Sequence, residues 1–295
     1  MKFDHTFIAI RQRGMLDILD LALHVCRDYL APLLLLLLVG ALPWIALDWL
    51  LIGWMVSEAY SDLYSRTYFW LTLVLTLSQA QVGTGMMTHY LGQAMFIGKP
   101  DIWASIKAMW RVPFSYYWLH FILRMVLPIA WLTYLFSVEN STDGQAAIGT
   151  FLAILLFIGL MVRSVRPFVT KIIVLEKAPW RAAAGGGINY GKRSRSLHSG
   201  GELFGRSLVA VLFVAALTLG LFGLISTLHS WLGFKVGMGF VENAIFWPLS
   251  LWLAAGFLAV VRFLSYIDLR IRQEGWEVEL SIKAEAVRMQ QGGSV

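Results

Sequence analysis

Two apolar stretches of this sequence contain polar side chains that could bind a substrate or an anion. His120 and Arg124 are four residues apart, so a helix would place them on one face. An arginine near the centre of a bilayer costs about 3 kcal/mol on insertion scales, and such residues are often functional. Arg124 could therefore bind an anion, although structural pairing or snorkelling to the interface would also explain it.

The segment from Ser78 to Gln93 is the most polar of these stretches. Gln79, Gln81 and His89 could line a substrate path. Small residues also recur every four positions from Ala80 to Gly92, which is typical of closely packed membrane helices. Helix packing is thus the simpler interpretation, and a candidate intramembrane polar site is the alternative. That site comprises Gln79, Gln81, His89, His120 and Arg124.

Motifs of soluble enzymes do not occur in the sequence. It has no Gly-x-x-x-x-Gly-Lys phosphate loop, no Gly-x-Ser-x-Gly nucleophile elbow and no His-Glu-x-x-His zinc helix. Its single cysteine, Cys26, can form neither an internal disulfide nor a convincing metal site. We therefore expect no catalytic residue, no cofactor and no metal, and we predict that the protein is not an enzyme.

Transmembrane helices are the elements that would position the polar residues. Of the 295 residues, 58% are hydrophobic and 14% are charged, whereas about a quarter are charged in average soluble proteins. Six stretches nearly free of charge are each long enough to cross about 30 Å of hydrocarbon at about 1.5 Å per residue. The predicted spans are residues 30–54, 67–95, 114–137, 145–168, 205–231 and 242–264.

The distribution of charge predicts the orientation. Most of the 24 lysines and arginines precede the first, third or fifth span or follow the sixth. By the positive-inside rule, both termini lie in the cytoplasm. The predicted fold class is all-α: a polytopic integral membrane protein with six helices in three hairpins. Segment 1–28 and the charged tail 266–295 are then cytoplasmic, and 29–265 form the membrane domain.

Segments on the predicted cytoplasmic side have an amphipathic pattern. Met15 to Leu30 places Leu16, Leu19 and Leu23 on one face, and Pro100 to Arg111 repeats the pattern, which is typical of helices at an interface. A basic loop around residues 181–206 would contact anionic lipids of the inner leaflet, at about 1 kcal/mol per basic residue. Membrane lipids are therefore the expected partners, proteins of the same membrane are further candidates, and no nucleic acid is expected.

The segment YIDLRIRQEGWEVEL, from Tyr266 to Leu280, concentrates charge near the end of the chain. Its acids could pair with the basic loop and fix the docking of the last hairpin, although exposed ion pairs contribute little individually. Beyond Gly275 the pattern fits a helix and a strand equally. The candidate cytoplasmic charge clamp comprises Lys192, Arg193, Arg195, Asp268, Arg270, Arg272, Glu274, Glu277 and Glu279.

This segment resembles the C-terminal signature of the glycerophosphoryl diester phosphodiesterase membrane-domain family of bacterial polytopic proteins. In that family, a Tyr-x-Asp-x-Arg-x-Arg-x-Glu-Gly-aromatic segment follows the last span. RPFVTKIIVLEKAPWRAAAGGGINYGKRSRS and, more loosely, YLAPLLLLLLVGALP are also similar. The resemblance implies a location in the bacterial inner membrane. It implies no catalysis, because the motifs of the separate phosphodiesterase domain do not occur in this sequence.

Two functions are therefore expected. The first is a non-enzymatic scaffold or accessory subunit in envelope or lipid-related processes. The alternative is a transporter or flippase-like protein that moves an amphiphilic or anionic substrate along the second span and Arg124.

Overall fold

The computed structural model describes residues 14–56, 62–95, 100–139, 151–159, 163, 166–179, 189–198, 202–232 and 240–274. Every regular element among these residues is a helix, as the sequence predicts. The α-helices are α1 (Met15–Asp28), α2 (Leu30–Ile52), α3 (Asp62–Gly83), α4 (Gly85–Ala94), α5 (Ile102–Trp110), α6 (Phe114–Trp118), α7 (Val126–Glu139), α8 (151–159), α9 (Val169–Glu176), α10 (Tyr190–Leu197), α11 (Glu202–Trp231) and α12 (Trp247–Glu274). A 3-10 turn, Gly53–Val56, follows α2. One π-helical turn, Leu119–Leu123, follows α6, and a second, Glu242–Phe246, precedes α12.

Within the described part of the chain, three helical stretches are long and apolar enough to cross a membrane. They are Leu30–Val56, Gly205–Trp231 and Glu242–Arg272, and they coincide with the first, fifth and sixth predicted spans. A fourth crossing can form from Phe114–Leu123 and Val126–Leu135, which meet at 41° within the third predicted span. The chain is therefore an all-helical protein with apolar helices suited to a membrane.

The second predicted span, 67–95, is divided into two helices. α3 ends at Gly83 and α4 begins at Gly85, while Thr84 between them has φ −90° and ψ 6°. The Thr84 hydroxyl donates to the carbonyl oxygen of Ala80 at 2.7 Å, a type of hydrogen bond that often bends helices. Residues 67–95 therefore form two consecutive helices that meet at Thr84. The fourth predicted span, 145–168, is described only in α8, at Arg163 and at 166–168.

α12 lies at the centre of the helical packing. Of the 18 residues that form its membrane-length apolar stretch, 72% are buried, against 11% for α11. α12 contacts α1, α2, α3, α4 and α11. α2 and α3 meet closely at two glycines: a β-carbon on Gly40 would lie 1.9 Å from the carbonyl oxygen of Gly83. This close approach fixes α3, and the polar residues at its end, against the membrane helices.

α1 is amphipathic, and one of its apolar faces packs inward. Its buried residues are Ile18, Leu19, Ala22 and Val25. Leu16 is 76% exposed and Leu23 is also exposed, whereas Leu19, which shares their stripe, is buried. The reason is that α1 has apolar side chains on two faces, and the face that packs inward, against α12, is the one with Ile18.

Candidate functional site

The helix of the third predicted span is interrupted at Arg124. The π-helical turn Leu119–Leu123 ends there, and Met125 has φ 63°, in the left-handed region that residues other than glycine rarely adopt. α7 then begins at Val126 in a new direction. Such irregular backbone is costly, and it occurs frequently at functional sites. At membrane depth it is tolerated only where protein or a polar cavity surrounds it.

Arg124 and Arg163 are buried beside this interruption, and each is 4% exposed. Nη1 of Arg124 donates to the carbonyl oxygen of Arg166 at 2.7 Å. Nη2 of Arg163 donates to the carbonyl oxygens of Ser78, at 2.8 Å, and of Arg124, at 3.4 Å. Nη1 of Arg163 donates to the carbonyl oxygen of Gly159 at 2.9 Å. Both guanidinium groups are thus held by neutral carbonyls that leave their charge uncompensated.

Several nitrogens of these two guanidinium groups have no hydrogen-bond partner. They are Nε and Nη2 of Arg124 and Nε of Arg163, all inaccessible to solvent. A buried donor without a partner costs about 1–3 kcal/mol, and more when it belongs to a charged group. The two side chains therefore present N–H groups that a suitable acceptor would satisfy.

Two further cations lie near this pair. Lys171 on α9 is 3% exposed, and Arg262 on α12 is half-buried. The charge of Arg262 acts on Arg124, on Arg163 and on Lys171. Burial, together with the charges of Arg262 and Arg124, lowers the pKa of Lys171 to about 7. We define Arg124, Arg163, Lys171 and Arg262 as the cationic cluster.

The cationic cluster is not neutralised by acids in the part of the chain that the structure describes. None of the ion pairs there joins a carboxylate to any of the four side chains. Moving an ion out of water costs several kcal/mol unless a counter-ion compensates it. Guanidinium groups bind phosphate and carboxylate through paired hydrogen bonds. The cluster is therefore suited to bind an anion.

Of the five residues predicted to form an intramembrane polar site, the structure places His120 and Arg124 together at the cluster. Nε2 of His120 lies 3.3 Å from the Thr170 hydroxyl, and its ring meets that of Tyr116 edge-on at 4.6 Å between centroids. Lys171 follows Thr170 on α9, whose first six residues are all buried. His120 thus lines the cluster as a polar neighbour.

The other three predicted residues have different surroundings. Nε2 of Gln79 donates to Oδ1 of Asp48 at 2.6 Å. The side-chain amide of Gln81 is buried and has no hydrogen-bond partner among the described residues. His89 Nδ1 lies 3.2 Å from the Ser105 hydroxyl, and His89 lines two cavities of about 520 and 430 Å³. The structure thus brings His120 and Arg124 together and gives Gln79, Gln81 and His89 separate surroundings.

The structure pairs the members of the predicted charge clamp differently: among the described residues, Arg193 pairs with Glu176, which is not an acid of the charged tail. We define the charge clamp as the ion pairs of Glu176 and Asp268. Nε and Nη2 of Arg193 donate to the two carboxylate oxygens of Glu176 at 2.6 and 2.7 Å. Glu176 also accepts a hydrogen bond from the Tyr266 hydroxyl and lies 3.8 Å from Nε of Arg270. Sequence analysis did not include Glu176 among the site residues.

Asp268 is the second carboxylate of the clamp. It accepts hydrogen bonds from Nη1 of Arg206 at 2.7 Å and from Nε of Arg272 at 3.0 Å. Lys192 and Arg195 are exposed on α10. The predicted members Glu277 and Glu279, and the side chain of Glu274, lie outside the described residues.

Sequence analysis also missed Arg163, Lys171 and Arg262 as site residues. All three lie near predicted span ends, so they were counted as cytoplasmic charges. Arg262 did carry a signal, because the sequence LAVVRFLSY continues apolar on both sides of it.

These features define an all-helical membrane protein with a buried, uncompensated cationic cluster. The chain matches no protein-family model, and neither a curated protein nor a solved structure is detectably similar to it.

Proposed function

We propose that this protein binds an anionic amphiphile at the cationic cluster and moves or presents it within the membrane. One observation carries the proposal: Arg124 and Arg163 are buried with unpaired N–H groups and with no ion-paired carboxylate among the described residues. Retaining such charges in a membrane protein costs free energy, and function is the usual reason for it. The transporter or flippase-like alternative is thereby favoured over a scaffold alone.

The proposed setting is the bacterial inner membrane, with six spans and both termini in the cytoplasm. The positive-inside rule supports this orientation, and the resemblance of the C-terminal segment supports the location. Exposed tryptophans fit both interfaces: Trp103 and Trp110 lie on α5, on the proposed inner side, and Trp231 ends α11 on the outer side. They are 74%, 81% and 82% exposed.

The cluster then extends from the cytoplasmic ends of the spans to the membrane centre. Arg163 and Arg262 lie close to the inner ends of the fourth and sixth proposed spans. Arg124 is ten residues into the third, which corresponds to about 15 Å of helix. That depth is close to the centre of about 30 Å of hydrocarbon. An amphiphile of the inner leaflet would therefore meet Arg163 and Arg262 first, and its head would have to move inward to reach Arg124.

A scaffold remains the second candidate function, and the charge clamp is the observation that favours it. Glu176 and Asp268 join α9, α10, α11 and α12 through ion pairs. Such a rigid inner surface could hold a partner protein. It would require no ligand at the cationic cluster.

Thermal unfolding in lipid nanodiscs tests the proposal. Purified protein is placed in phosphatidylcholine alone, or with a minor fraction of phosphatidylglycerol or phosphatidic acid. A ligand at about 100 times its Kd stabilises by about 2.7 kcal/mol, so we expect an anionic lipid to raise Tm by roughly 5 °C or more.

Variants of the cluster show whether that shift arises there. Arg124→Met and Arg163→Met should lose most of it, whereas Lys107→Met, which removes an exposed cation, should keep it. An equal shift in all variants, or no shift in the wild type, overturns the proposal.

A further inference from the structure

We infer that the anionic amphiphile carries a terminal phosphate group and that this group reaches the cationic cluster sideways, through a groove between α11 and α12. The inference rests on the proposed function. It adds the chemical class of the head group and the route of entry.

The charge of the cluster points to a head group with more than one negative charge. Arg124, Arg163 and Arg262 are cations at neutral pH, and Lys171 adds a further charge when it is protonated. A phosphodiester has a single ionisable oxygen and would leave most of this charge uncompensated. A terminal phosphate carries a charge of about −1.5 to −2 near pH 7, which balances the cluster better.

The hydrogen-bond donors point the same way. The unpaired nitrogens are Nε and Nη2 of Arg124 and Nε of Arg163. A terminal phosphate offers three acceptor oxygens, whereas two of the four oxygens of a phosphodiester are esterified. Hydrogen bonds between ionised partners are roughly twice as strong as neutral ones, so each additional oxygen contributes strongly.

A small cavity between α11 and α12 marks a route to the cluster. Its volume is about 20 Å³, so the two helices must separate to admit a phosphate. The walls of the cavity include the apolar residues Phe168, Ala210, Leu258 and Val261, and Arg206 and Arg262 also line it. We name it the lateral groove. Arg262 lines this groove and also acts electrostatically on Arg124, Arg163 and Lys171. It therefore connects the groove with the buried part of the cluster.

The environment of α11 suits entry from the lipid phase. Only 11% of the residues in its membrane-length apolar stretch are buried, and its large exposed side chains include Leu208, Leu212 and Leu219. Such a surface is stable in hydrocarbon. An acyl or prenyl chain can remain beside α11 while its phosphate passes along the apolar walls to Arg262. Rotation of the half-buried Arg262 side chain would then bring the phosphate to Arg124 and Arg163.

Lipid selectivity tests the head-group class. Protein in phosphatidylcholine nanodiscs is titrated with phosphatidic acid, which has a terminal phosphate, or with phosphatidylglycerol, a phosphodiester. The readout is the lipid fraction at half-maximal Tm shift. One additional charge-assisted hydrogen bond corresponds to roughly a tenfold difference, so phosphatidic acid should act at about one tenth of the fraction.

Arg262→Gln should reduce this preference to about twofold or less, and Lys107→Gln, at an exposed site, should leave it unchanged. Equal midpoints for the two lipids overturn the head-group inference while leaving the proposed function intact. If neither lipid stabilises the protein, both fail. Inorganic phosphate added to phosphatidylcholine nanodiscs distinguishes the source: stabilisation by free phosphate equal to that by phosphatidic acid would overturn the lipid as ligand.

Blocking the lateral groove tests the route. Ala210→Phe places a ring in the groove, whereas Ala216→Phe places the same ring on the exposed face of α11. We expect the phosphatidic acid midpoint to rise at least about fivefold in the first variant and to stay unchanged in the second. A fivefold rise corresponds to about 1 kcal/mol of lost binding free energy, which steric blocking by one ring can cause.

Ser207→Phe, at the same groove, is the substitute should Ala210→Phe not fold. Wild-type midpoints in a folded groove variant overturn the lateral route.

Discussion

Two regions of this protein hold arginines largely away from solvent, and among the described residues only one of these regions also contains acids. In the charge clamp, Arg193 and Arg206 donate to Glu176 and Asp268 at 2.6–2.7 Å. In the cationic cluster, Arg124 and Arg163 donate only to backbone carbonyls and keep unpaired nitrogens. The same residue type is compensated in one region and uncompensated in the other.

The difference separates two roles for buried charge. A pair with its counter-ion in place holds helices together and loses stability when one partner is removed. A group of like charges without a counter-ion opposes folding, because each charge is desolvated and repels its neighbours. The clamp therefore accounts for assembly of the inner ends of the helices, whereas the cluster is better explained by a ligand.

The largest effect is expected from breaking the clamp. Glu176→Gln leaves Arg193 and Arg270 without their shared carboxylate, and both Arg193 and Glu176 are 15% exposed. We expect the free energy of unfolding to fall by about 3 kcal/mol, as measured by reversible denaturation in detergent. The matched control is Asp20→Asn on α1, since Asp20 is 74% exposed and its loss should cost under about 0.5 kcal/mol. Equal effects of the two variants would show that the clamp does not stabilise the fold.

The pH dependence of the cluster is the next largest effect. Burial and nearby cations lower the pKa of Lys171 to about 7 in the folded protein, whereas an unfolded lysine titrates near about 10.4. Between these values the unfolded state binds more protons, so stability should rise as pH increases and should level off below about 7.

Lys171→Met removes this titration. Unfolding free energies of wild type and variant should diverge by about 2 kcal/mol between pH 7 and about pH 9, with the wild type gaining. Parallel pH profiles would mean that Lys171 is not desolvated by the cluster.

Removing a cluster cation should have a smaller effect, opposite to that at the clamp. Arg124→Met replaces an uncompensated charge by an apolar chain of similar length. Such replacements are often neutral or stabilising, so we expect a gain of about 1 kcal/mol in unfolding free energy in neutral detergent. A loss as large as that of Glu176→Gln would contradict the distinction between the two regions.

The smallest effect is expected at Asp48, a buried acid whose hydrogen bond comes from the neutral amide of Gln79. Asp48→Asn keeps an acceptor for Nε2 of Gln79, and its new amide can donate to Oε1 of Gln79, which has no partner in the described structure. We expect a change within about 1 kcal/mol. A decrease of about 3 kcal/mol would show that Asp48 acts as a charge, like the clamp acids.

Helices 30–54, 205–231 and 242–264 were predictable because a long apolar run is a local property of the sequence. The break at Thr84 and the π-helical turn before Arg124 were not predicted, because they depend on how a helix packs against its neighbours. α1 shows the same limit: its periodicity indicates an amphipathic helix, but the presence of α12 decides which face is buried.

The candidate site was predictable only where a local property of the sequence revealed one of its residues. Arg124 interrupts an apolar run, so its cost was visible in the sequence. Arg163 and Lys171 lie near the end of a predicted span, where basic residues are common in any membrane protein. Only folding brings α9 and α12 against Arg124 and makes these residues members of one cluster.

Native mass spectrometry of the protein extracted from its own membrane tests the central claim most directly. The wild type and Lys107→Met should retain an anionic lipid with a terminal phosphate, and Arg124→Met combined with Arg163→Met should lose it. Wild-type protein that carries no anionic lipid, or a double variant that retains it equally, would contradict a ligand role for the cationic cluster.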